Sequence, residues 1–185
     1  LYVVCSGQVR VCRTDDDGHE LTVAICSAGD VIGEMALLDG GTRSATVITM
    51  TESEIVLLGR SDFLDCLAAN SEIAMQVIEL LCQRLRATTA RAGDLAYLDV
   101  EERLEHTLRR LSDRHGVESV DGGTEISLRL TQSDLAAMLG TSRESVSRAL
   151  SLLKARGLIR SSGRRIVVTS RAERRRKSES RSVDH

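Results

Sequence analysis

The chain has 185 residues, 42% of them hydrophobic and 28% charged, so its length allows one large or two small globular domains. No stretch approaches the run of about 18 apolar residues that a membrane-spanning helix needs, and without proline no stiff proline-rich linker can join the domains. Five cysteines, odd in number and without a CxxC pair, disfavour a disulfide framework or a zinc site and indicate a reducing cytoplasm.

The net charge of −2 conceals an uneven distribution along the chain. Residues 1–128 carry 11 Lys and Arg against 22 Asp and Glu, a net charge of −11. Residues 129–185 carry 14 Lys and Arg against 5 Asp and Glu, a net charge of +9. This asymmetry predicts a polyanionic partner, such as nucleic acid, for the second part of the chain.

Short β-rich runs separated by turn residues fill the first 58 positions. We expect strands over Leu1–Val4, Gln8–Arg13, Leu21–Cys26, Val47–Met50 and Glu54–Leu58. They predict a small antiparallel sandwich or roll, followed by a short helix with Ser61 as its N-cap. No signal peptide is visible, but Leu1–Val4 has the pattern of the middle of a strand, so we expect the true start of the chain to be missing.

The segment over residues 29–47 has the residue types of a phosphate-binding loop. Gly33 and Glu34 open a short apolar helical turn, whose N–H groups can bind an anion. Nine residues after Glu34, Arg43 can bind a phosphate through two N–H groups while Ser44 donates another hydrogen bond. Since Glu34 would repel a phosphate, we expect it to accept from a sugar hydroxyl. The segment thus predicts a ribose-phosphate ligand, and the alternative is a surface loop with an ordinary Glu–Arg ion pair.

A long helix is predicted over residues 71–98. Its apolar or small residues recur at steps of three and four, at Ile78, Leu81, Leu85, Thr88, Ala92 and Leu95. This narrow seam predicts that the helix pairs with another helix, most simply its own copy in a two-fold dimer. Thr88 is the polar position of the seam, with Thr89 beside it, and its hydroxyl can meet either a seam partner or a ligand.

A new helix is predicted to begin at once. Asp99 and Glu102 form the D-x-x-E pattern of a capping box, so a hinge is expected at Leu98–Asp99. His106 and His115 have no acidic or cysteine partner at ligand spacing, and we interpret them as ordinary surface or boundary histidines.

Two short capped helices around Gly140 predict a helix-turn-helix over residues 130–159. Thr131 is expected to cap the first helix with Asp134, and Thr141 the second with Glu144. The second helix places four residues where base edges would be read: Arg143, Glu144, Ser147 and Arg148. The alternative is a solvated charged face.

Strand-like segments flank this motif. A strand is expected over residues 125–130, and a hairpin over residues 157–168 forms a winged element. Candidate phosphate contacts are Thr131, Ser142, Ser145 and Arg164. Residues 170–185 are basic and lack apolar periodicity, so we expect a disordered tail that either adds attraction to DNA or has no role.

Two of these segments together resemble the cyclic-AMP receptor protein family, also called catabolite activator proteins. The first is Gly33-Glu34 followed by Arg43-Ser44-Ala45, and the second is the stretch over residues 84–100. The resemblance covers the chain to about residue 169, and because the family's roll begins some strands before the position of Leu1, it implies that earlier strands of the roll are missing. It implies an α+β fold with a cyclic-nucleotide-binding β-roll over 1–70, a central dimerisation helix over 71–98 and a winged helix-turn-helix DNA-binding domain over 99–169.

The resemblance also implies residue roles. The family's cassette Glu binds the ribose 2′-hydroxyl, and its Arg and Ser bind the cyclic phosphate. The first hydroxyl of the helical pair contacts the adenine of its own subunit, and the second reaches the ligand of the partner subunit. These roles would fall on Glu34, Arg43, Ser44, Thr88 and Thr89, with Gly33 allowing close backbone approach. The motif over 142–148 is similar to one that reads TGTGA-type half-sites. A related oxygen-sensing branch has Glu, Ser and Arg at the positions of 144, 147 and 148, whereas Arg143 favours the cyclic-AMP receptors.

The function implied is that of a homodimeric, cyclic-AMP-responsive transcription regulator in the cytoplasm. Its partners would be double-stranded DNA, a second copy and RNA polymerase, with no metal, no membrane association and no enzymatic activity. An alternative keeps the fold but senses another ligand, or binds DNA largely without one. An enzyme with a cupin-like metal site would need a His/Glu cluster on the strands, where only His19 lies, in a turn, and an iron–sulfur sensor would need grouped cysteines.

Overall fold

The computed structural model describes residues 1–169, and the expectation for the tail over 170–185 lies outside the described residues. The chain divides into two compact units, Leu1–Ala92 and a second unit that begins at Gly93. Strands and helices occur in both units, so the α+β class predicted from the sequence is confirmed.

The first unit contains two antiparallel sheets of three strands each. Its strands are β1 (Tyr2–Ser6), β2 (Gln8–Thr14), β3 (Glu20–Ser27), β4 (Val31–Ile32), β5 (Thr46–Thr49) and β6 (Glu54–Leu57). The strand orders are β4-β1-β6 and β3-β2-β5. Inward-facing side chains of the strands form one core cluster, Val4, Val9, Cys26 and Ile32. Strands β2 and β3 pair antiparallel from Gln8–Ser27 to Thr14–Glu20, with a shift in register between Val11 and Cys12.

Three helices accompany these sheets: α1 (Glu34–Asp39), α2 (Arg60–Ala69) and α3 (Ser71–Tyr97). The predicted N-cap Ser61 is wrong, because α2 begins at Arg60 and Gly59 is its N-cap. Phe63 of α2 packs with Leu1 and Leu37 in a second core cluster, against which Val77 of α3 also packs. The long helix α3 thus begins against the sheets.

The second unit contains α4 (Val100–His115), β7 (Gly116–Glu118), β8 (Thr124–Ile126), α5 (Gln132–Leu139), α6 (Arg143–Ala155), β9 (Ile159–Ser162) and β10 (Arg165–Val168). Its sheet has the order β7-β8-β10-β9. The predicted hairpin over 157–168 is present as β9 and β10. The strand expected over 125–130 is shorter, because β8 ends at Ile126, and it pairs with β7.

Side-chain caps set the ends of the helices in this unit. Asp99 forms a capping box with Glu102, and Thr131 forms one with Asp134, as predicted. The N-cap of α6 is Ser142, whose hydroxyl accepts from the Ser145 N–H, so the expected cap at Thr141 is wrong. Gly140 has φ of 60° and ψ of 49°, and this left-handed conformation turns the chain from α5 to α6.

The helices of the second unit share one core. Fully or nearly fully buried leucines and valines line the facing sides of α4, α5 and α6: Leu104, Leu108, Leu135, Val146 and Leu153. This packing holds α6 with its opposite face exposed. Within residues 1–169, no helix is both long enough and apolar enough to cross a membrane.

Candidate functional site

A buried acid stands at the start of α1. Its N-cap Gly33 has φ of 79° and ψ of 19°, a left-handed conformation that favours glycine. A Cβ on Gly33 would lie 2.7 Å from Nη1 of Arg43, so the close approach of this arginine also requires glycine. Glu34 follows and is only 1% exposed. Burial of a carboxylate demands compensating donors.

An arginine from the middle of α3 supplies part of this compensation. Nη1 of Arg84 donates to Oε1 of Glu34 at 2.5 Å, and Nη2 of Arg84 donates to the carbonyl oxygen of Val31. The second carboxylate oxygen of Glu34, Oε2, is buried and has no hydrogen-bond partner among the described residues. An unsatisfied buried acceptor is costly until a donor reaches it. The geometry therefore leaves one acceptor for a hydroxyl of a ligand.

Arg43 lies beside the same turn. Its Nη1 donates to the carbonyl oxygen of Gly33 at 2.9 Å, and its guanidinium carbon stands 5.4 Å from the centroid of the Tyr2 ring, within cation–π range. Arg43 and Ser44 are both exposed. A guanidinium has five N–H donors, so the remaining ones can bind an anion next to the Ser44 hydroxyl.

One face of α3 carries two arginines that donate to backbone carbonyl oxygens of the first unit, and a hydroxyl between them. Arg84, Thr88 and Arg91 follow at i, i+4 and i+7, so they share this face. Arg91 donates to the carbonyl oxygen of Val23 on β3, as Arg84 does to Val31. Thr88 Oγ1 donates to the Arg84 carbonyl oxygen at 2.9 Å. Thr88 therefore lies one helical turn beyond the Glu34–Arg84 pair.

Sequence reasoning missed Arg84 and Tyr2 as parts of this site. Arg84 lies 50 positions from Glu34, and no local pattern pairs residues at that separation. Tyr2 lies in a strand, and nothing in its local sequence distinguishes it from other strand residues. The available signal was that Arg84 is a basic residue on the long helix next to the roll, but from the sequence it was interpreted only as part of that helix.

A second face of α3 carries a continuous stripe of exposed residues. They are spaced by alternating steps of three and four: Met75, Ile78, Cys82, Leu85, Thr89, Ala92 and Ala96. Ile78, Leu85 and Ala92 also belong to the predicted seam, whose Leu81 is half-buried and whose Thr88 and Leu95 are exposed. Ile78 is 50% exposed and Leu85 is 68% exposed, which is unusual for side chains that need apolar contacts. We call these seven residues the exposed stripe.

The exposed face of α6 carries the predicted base-reading residues. Arg143, Glu144 and Arg148 are exposed and Ser147 is half-buried, all within the first two turns. The backbone N–H of Glu144 and the Ser142 hydroxyl, with the charges of Arg143 and Arg148, hold the pKa of the Glu144 carboxyl below its ordinary value. Glu144 thus stays an anionic acceptor between two cationic donors.

The predicted phosphate contacts differ in their present partners. Thr131 Oγ1 donates to Asp134 at 2.6 Å, and Ser142 Oγ donates to Ser145 Oγ at 3.1 Å, so these hydroxyls already form caps. Arg165 pairs with Glu125 at 2.7 Å. Arg164 in the β9–β10 turn is exposed and forms no ion pair within the described part of the chain.

Comparisons with known proteins agree with this architecture. A model of the cyclic nucleotide-binding domain matches residues 1–70, and a model of the Crp-like helix-turn-helix domain matches residues 102–173. The chain is 33% identical to the CRP-like cAMP-activated global transcriptional regulator of Mycobacterium tuberculosis over 91% of this chain and 75% of that protein. It is 36% identical to the cAMP-activated global transcriptional regulator CRP of Haemophilus influenzae, with the same coverage. The c-di-GMP-responsive global regulator CLP of Xanthomonas campestris has a TM-score of 0.76 and 32% identity, covering 91% of this chain and 84% of that one.

A β-roll with a buried Glu and an exposed Arg–Ser pair, joined in one chain to a winged helix-turn-helix, defines a nucleotide-binding transcription regulator. The chain belongs to the CRP family of transcription regulators. The resemblance found in the sequence is therefore confirmed, as are the cyclic-nucleotide-binding and DNA-binding domains.

Proposed function

We propose that this regulator is a homodimer that binds cyclic AMP and then a palindromic, TGTGA-like DNA site. The observation that carries the proposal is the buried Oε2 of Glu34, which has no partner among the described residues, while Arg43 donates to the carbonyl oxygen of the preceding Gly33. A ribose hydroxyl would satisfy this acceptor while the cyclic phosphate occupies the arginine. Both ligand groups fit the residues present, because the ribose hydroxyl is a donor for Oε2 of Glu34 and the cyclic phosphate is an anion for the guanidinium of Arg43.

The ligand-binding residues in this proposal are Gly33, Glu34, Arg43, Ser44, Thr88 and Thr89. Arg84 joins them as the residue that orients Glu34. Thr88, one turn beyond Arg84, would donate or accept at the adenine edge, and its bond to the Arg84 carbonyl can be exchanged for one to the ligand. Thr89 belongs to the exposed stripe and would reach the ligand of the partner subunit.

Pairing of two chains through the exposed stripe supports the homodimer. Its three- and four-residue steps are those of a two-stranded seam, and burying it would remove Ile78 and Leu85 from water. A two-fold axis along α3 would present two α6 helices to half-sites about one DNA turn apart. We propose domain boundaries of 1–70, 71–98 and 99–169, with the basic segment over 170–185 as a tail.

On DNA, Arg143, Glu144, Ser147 and Arg148 would read base edges. Arginine pairs with guanine through two hydrogen bonds, and a carboxylate accepts from the cytosine amino group. Phosphates would meet Thr131, Ser142, Ser145 and Arg164, of which Arg164 is free to bind without breaking an ion pair in the described residues. A chromosomal target would place the protein in the cytoplasm with RNA polymerase as its further partner.

A second candidate keeps the fold and changes the effector. The relative CLP is named for its response to c-di-GMP although it is 32% identical to this chain. Family membership alone therefore does not select cyclic AMP. A cyclic dinucleotide carries a second phosphate, which would need a second cationic partner near Arg43.

Calorimetric titration with cyclic AMP, with and without a TGTGA–TCACA duplex, tests the proposal. We expect nucleotide to bind more tightly when DNA is present, and DNA more tightly when nucleotide is present, by the same factor. Parallel titration with c-di-GMP distinguishes the second candidate. Binding of c-di-GMP alone, or of neither nucleotide, would overturn the assignment of cyclic AMP, and nucleotide binding without coupling to DNA would overturn the switch.

A further inference from the structure

Helix α3 is anchored at two places that lie three residues apart. Arg91 donates to the carbonyl oxygen of Val23, which ties α3 to the strands of the first unit. Asp94 accepts from Arg110 and His106 of α4, which ties the last turn of α3 to the second unit. The boundary between the two compact units falls between these anchors, at Ala92 and Gly93.

The Asp94 anchor has several donors. Nη1 of Arg110 lies 2.9 Å from Oδ2 of Asp94, and Nδ1 of His106 lies 3.1 Å from Oδ1. Nη2 of Arg110 donates to Thr107 Oγ1 at 3.0 Å, which fixes the guanidinium on α4. The Asp94 side chain is only 18% exposed. Burial pushes the pKa of Asp94 upward, but Arg110 and His106 outweigh it and hold the pKa below its ordinary value.

Gly93 stands between the anchors and has no packing role in the described chain. A Cβ built there would meet nothing within 4 Å among residues 1–169. Glycine is less favourable than alanine inside a helix because it loses more backbone freedom on folding. A helix with a bendable residue between two anchors can change direction there while each flanking part keeps its contacts.

We propose that the switch pivots at Gly93, with Asp94 as the positioning residue that makes the last turn of α3 move with α4. The capped junction at Leu98–Asp99, where the sequence predicts the hinge, then keeps its geometry. Coupling to nucleotide in this scheme rests on the proposed function, because Thr88 and Thr89 lie only one turn before Gly93. The Asp94 clamp itself does not depend on any ligand.

Spin-label distances measured by pulsed electron paramagnetic resonance test this pivot. The exposed cysteines Cys5, Cys66 and Cys82 are replaced by serine, while the buried Cys12 and Cys26 are kept. One pair of labels, introduced through Gln83→Cys and Tyr97→Cys, spans Gly93. A second pair, through Tyr97→Cys and Asp113→Cys, spans Leu98–Asp99. All three labelled positions are exposed residues, and labelled chains are diluted with unlabelled chains to suppress distances between subunits.

On addition of cyclic AMP and duplex DNA, the Gln83–Tyr97 distance should shift while the Tyr97–Asp113 distance stays the same. Gly93→Ala should reduce that shift, because a methyl group fits without a clash and stiffens the helix. A shift only in the Tyr97–Asp113 pair would overturn the proposal, and so would no shift in either pair when both ligands are bound.

A ligand-free comparison separates the clamp from the proposed function. Asp94→Ala should broaden the Tyr97–Asp113 distance distribution, because alanine keeps the helix but removes both acceptor oxygens. Arg109→Gln is the matched control, since it breaks the Arg109–Glu105 pair within α4 and leaves Asp94 intact. An unchanged distribution in Asp94→Ala, or equal broadening in both variants, would refute the clamp whether or not cyclic AMP binds.

Discussion

Glu34 and Arg84 form an ion pair in which the two partners have very different access to water. The Glu34 side chain is 2% exposed and the Arg84 side chain is 37% exposed, and their charged atoms lie 2.5 Å apart. If the pair breaks, the arginine can be hydrated but the acid cannot. Loss of Arg84 should therefore destabilise the start of α1 more than loss of Glu34 destabilises the position of Arg84.

The two single substitutions should consequently differ in cost. Arg84→Gln leaves a buried carboxylate without its cation and should lower the free energy of unfolding by roughly 1–3 kcal/mol, discounted for the exposure of the arginine. Glu34→Gln should cost less. Urea denaturation of both single variants and the double variant measures this, and the double variant should cost less than the sum. Strict additivity would show that the pair contributes no coupling.

Arg43→Ala should weaken cyclic-nucleotide binding by at least about a hundredfold, since two hydrogen bonds to a phosphate each contribute about 1.5 kcal/mol or more. The fold should remain intact because Arg43 is exposed. Isothermal calorimetry gives the affinity and circular dichroism the fold. Arg13→Ala, an exposed arginine on β2, is the matched control and should bind normally. Wild-type affinity in Arg43→Ala would refute its assignment as the phosphate ligand.

Cys82 provides a test of the exposed stripe as the seam of a homodimer. Residues at the same seam position of two parallel helices lie next to each other, at a separation that a disulfide can bridge with little movement. Oxidation with copper phenanthroline should therefore give a covalent dimer on a non-reducing gel. Cys82→Ser should lose this species and Cys66→Ser, which changes an exposed cysteine of α2, should keep it. A cross-link that survives Cys82→Ser would contradict the seam.

Arg148 and Arg164 should differ in how their loss affects DNA binding. Arg148→Ala should cost roughly 1–3 kcal/mol at the specific site and relax base preference there, because it removes a base contact. Arg164→Ala should weaken binding to all sequences and reduce the slope of log affinity against log salt by about 1. Fluorescence anisotropy over several salt concentrations, with matched and mismatched duplexes, measures both. The reverse pattern would exchange the two roles.

Asp94 should make a pH-dependent contribution to the stability of the second unit. Its folded pKa lies below the ordinary value of 3.8, because Arg110 and His106 outweigh the opposing effect of burial. A depressed carboxyl pKa contributes stability that is complete above the ordinary value and is lost as the pH falls through the folded pKa. The difference in unfolding free energy between wild type and Asp94→Ala should therefore shrink as the pH falls below about pH 4. A difference that grows as the pH falls below about pH 4 would contradict this sign.

Local patterns in the sequence were sufficient for the elements whose signals are local. The capping boxes at Asp99 and Thr131 depend on residues three positions apart, and both are present. The turn at Gly140 needs a left-handed residue, and glycine is the residue that adopts it most readily. Which of two neighbouring hydroxyl residues becomes the N-cap depends on where the backbone leaves the turn, however, and here Ser142 rather than Thr141 caps α6.

Features that depend on distant residues could not be predicted in this way. The Asp94 clamp joins α3 to a histidine that sequence spacing left without an acidic partner. The pairing of α3 along the predicted seam remains a prediction, because periodicity alone does not reveal which of two adjacent stripes faces a partner helix. The assignments of ligand-binding and base-reading residues remain predictions, supported by the placement of Glu34, Arg43 and α6.

The caps of the DNA-binding helices have a consequence for how such regulators diversify. Asp99, Thr131 and Ser142 all receive their bonding partners from inside the second unit. These local bonds set where the DNA-binding helices begin. Mutations in the roll that alter effector preference leave these capping residues unchanged, so the same DNA-binding helices can be kept while selection explores new chemical signals.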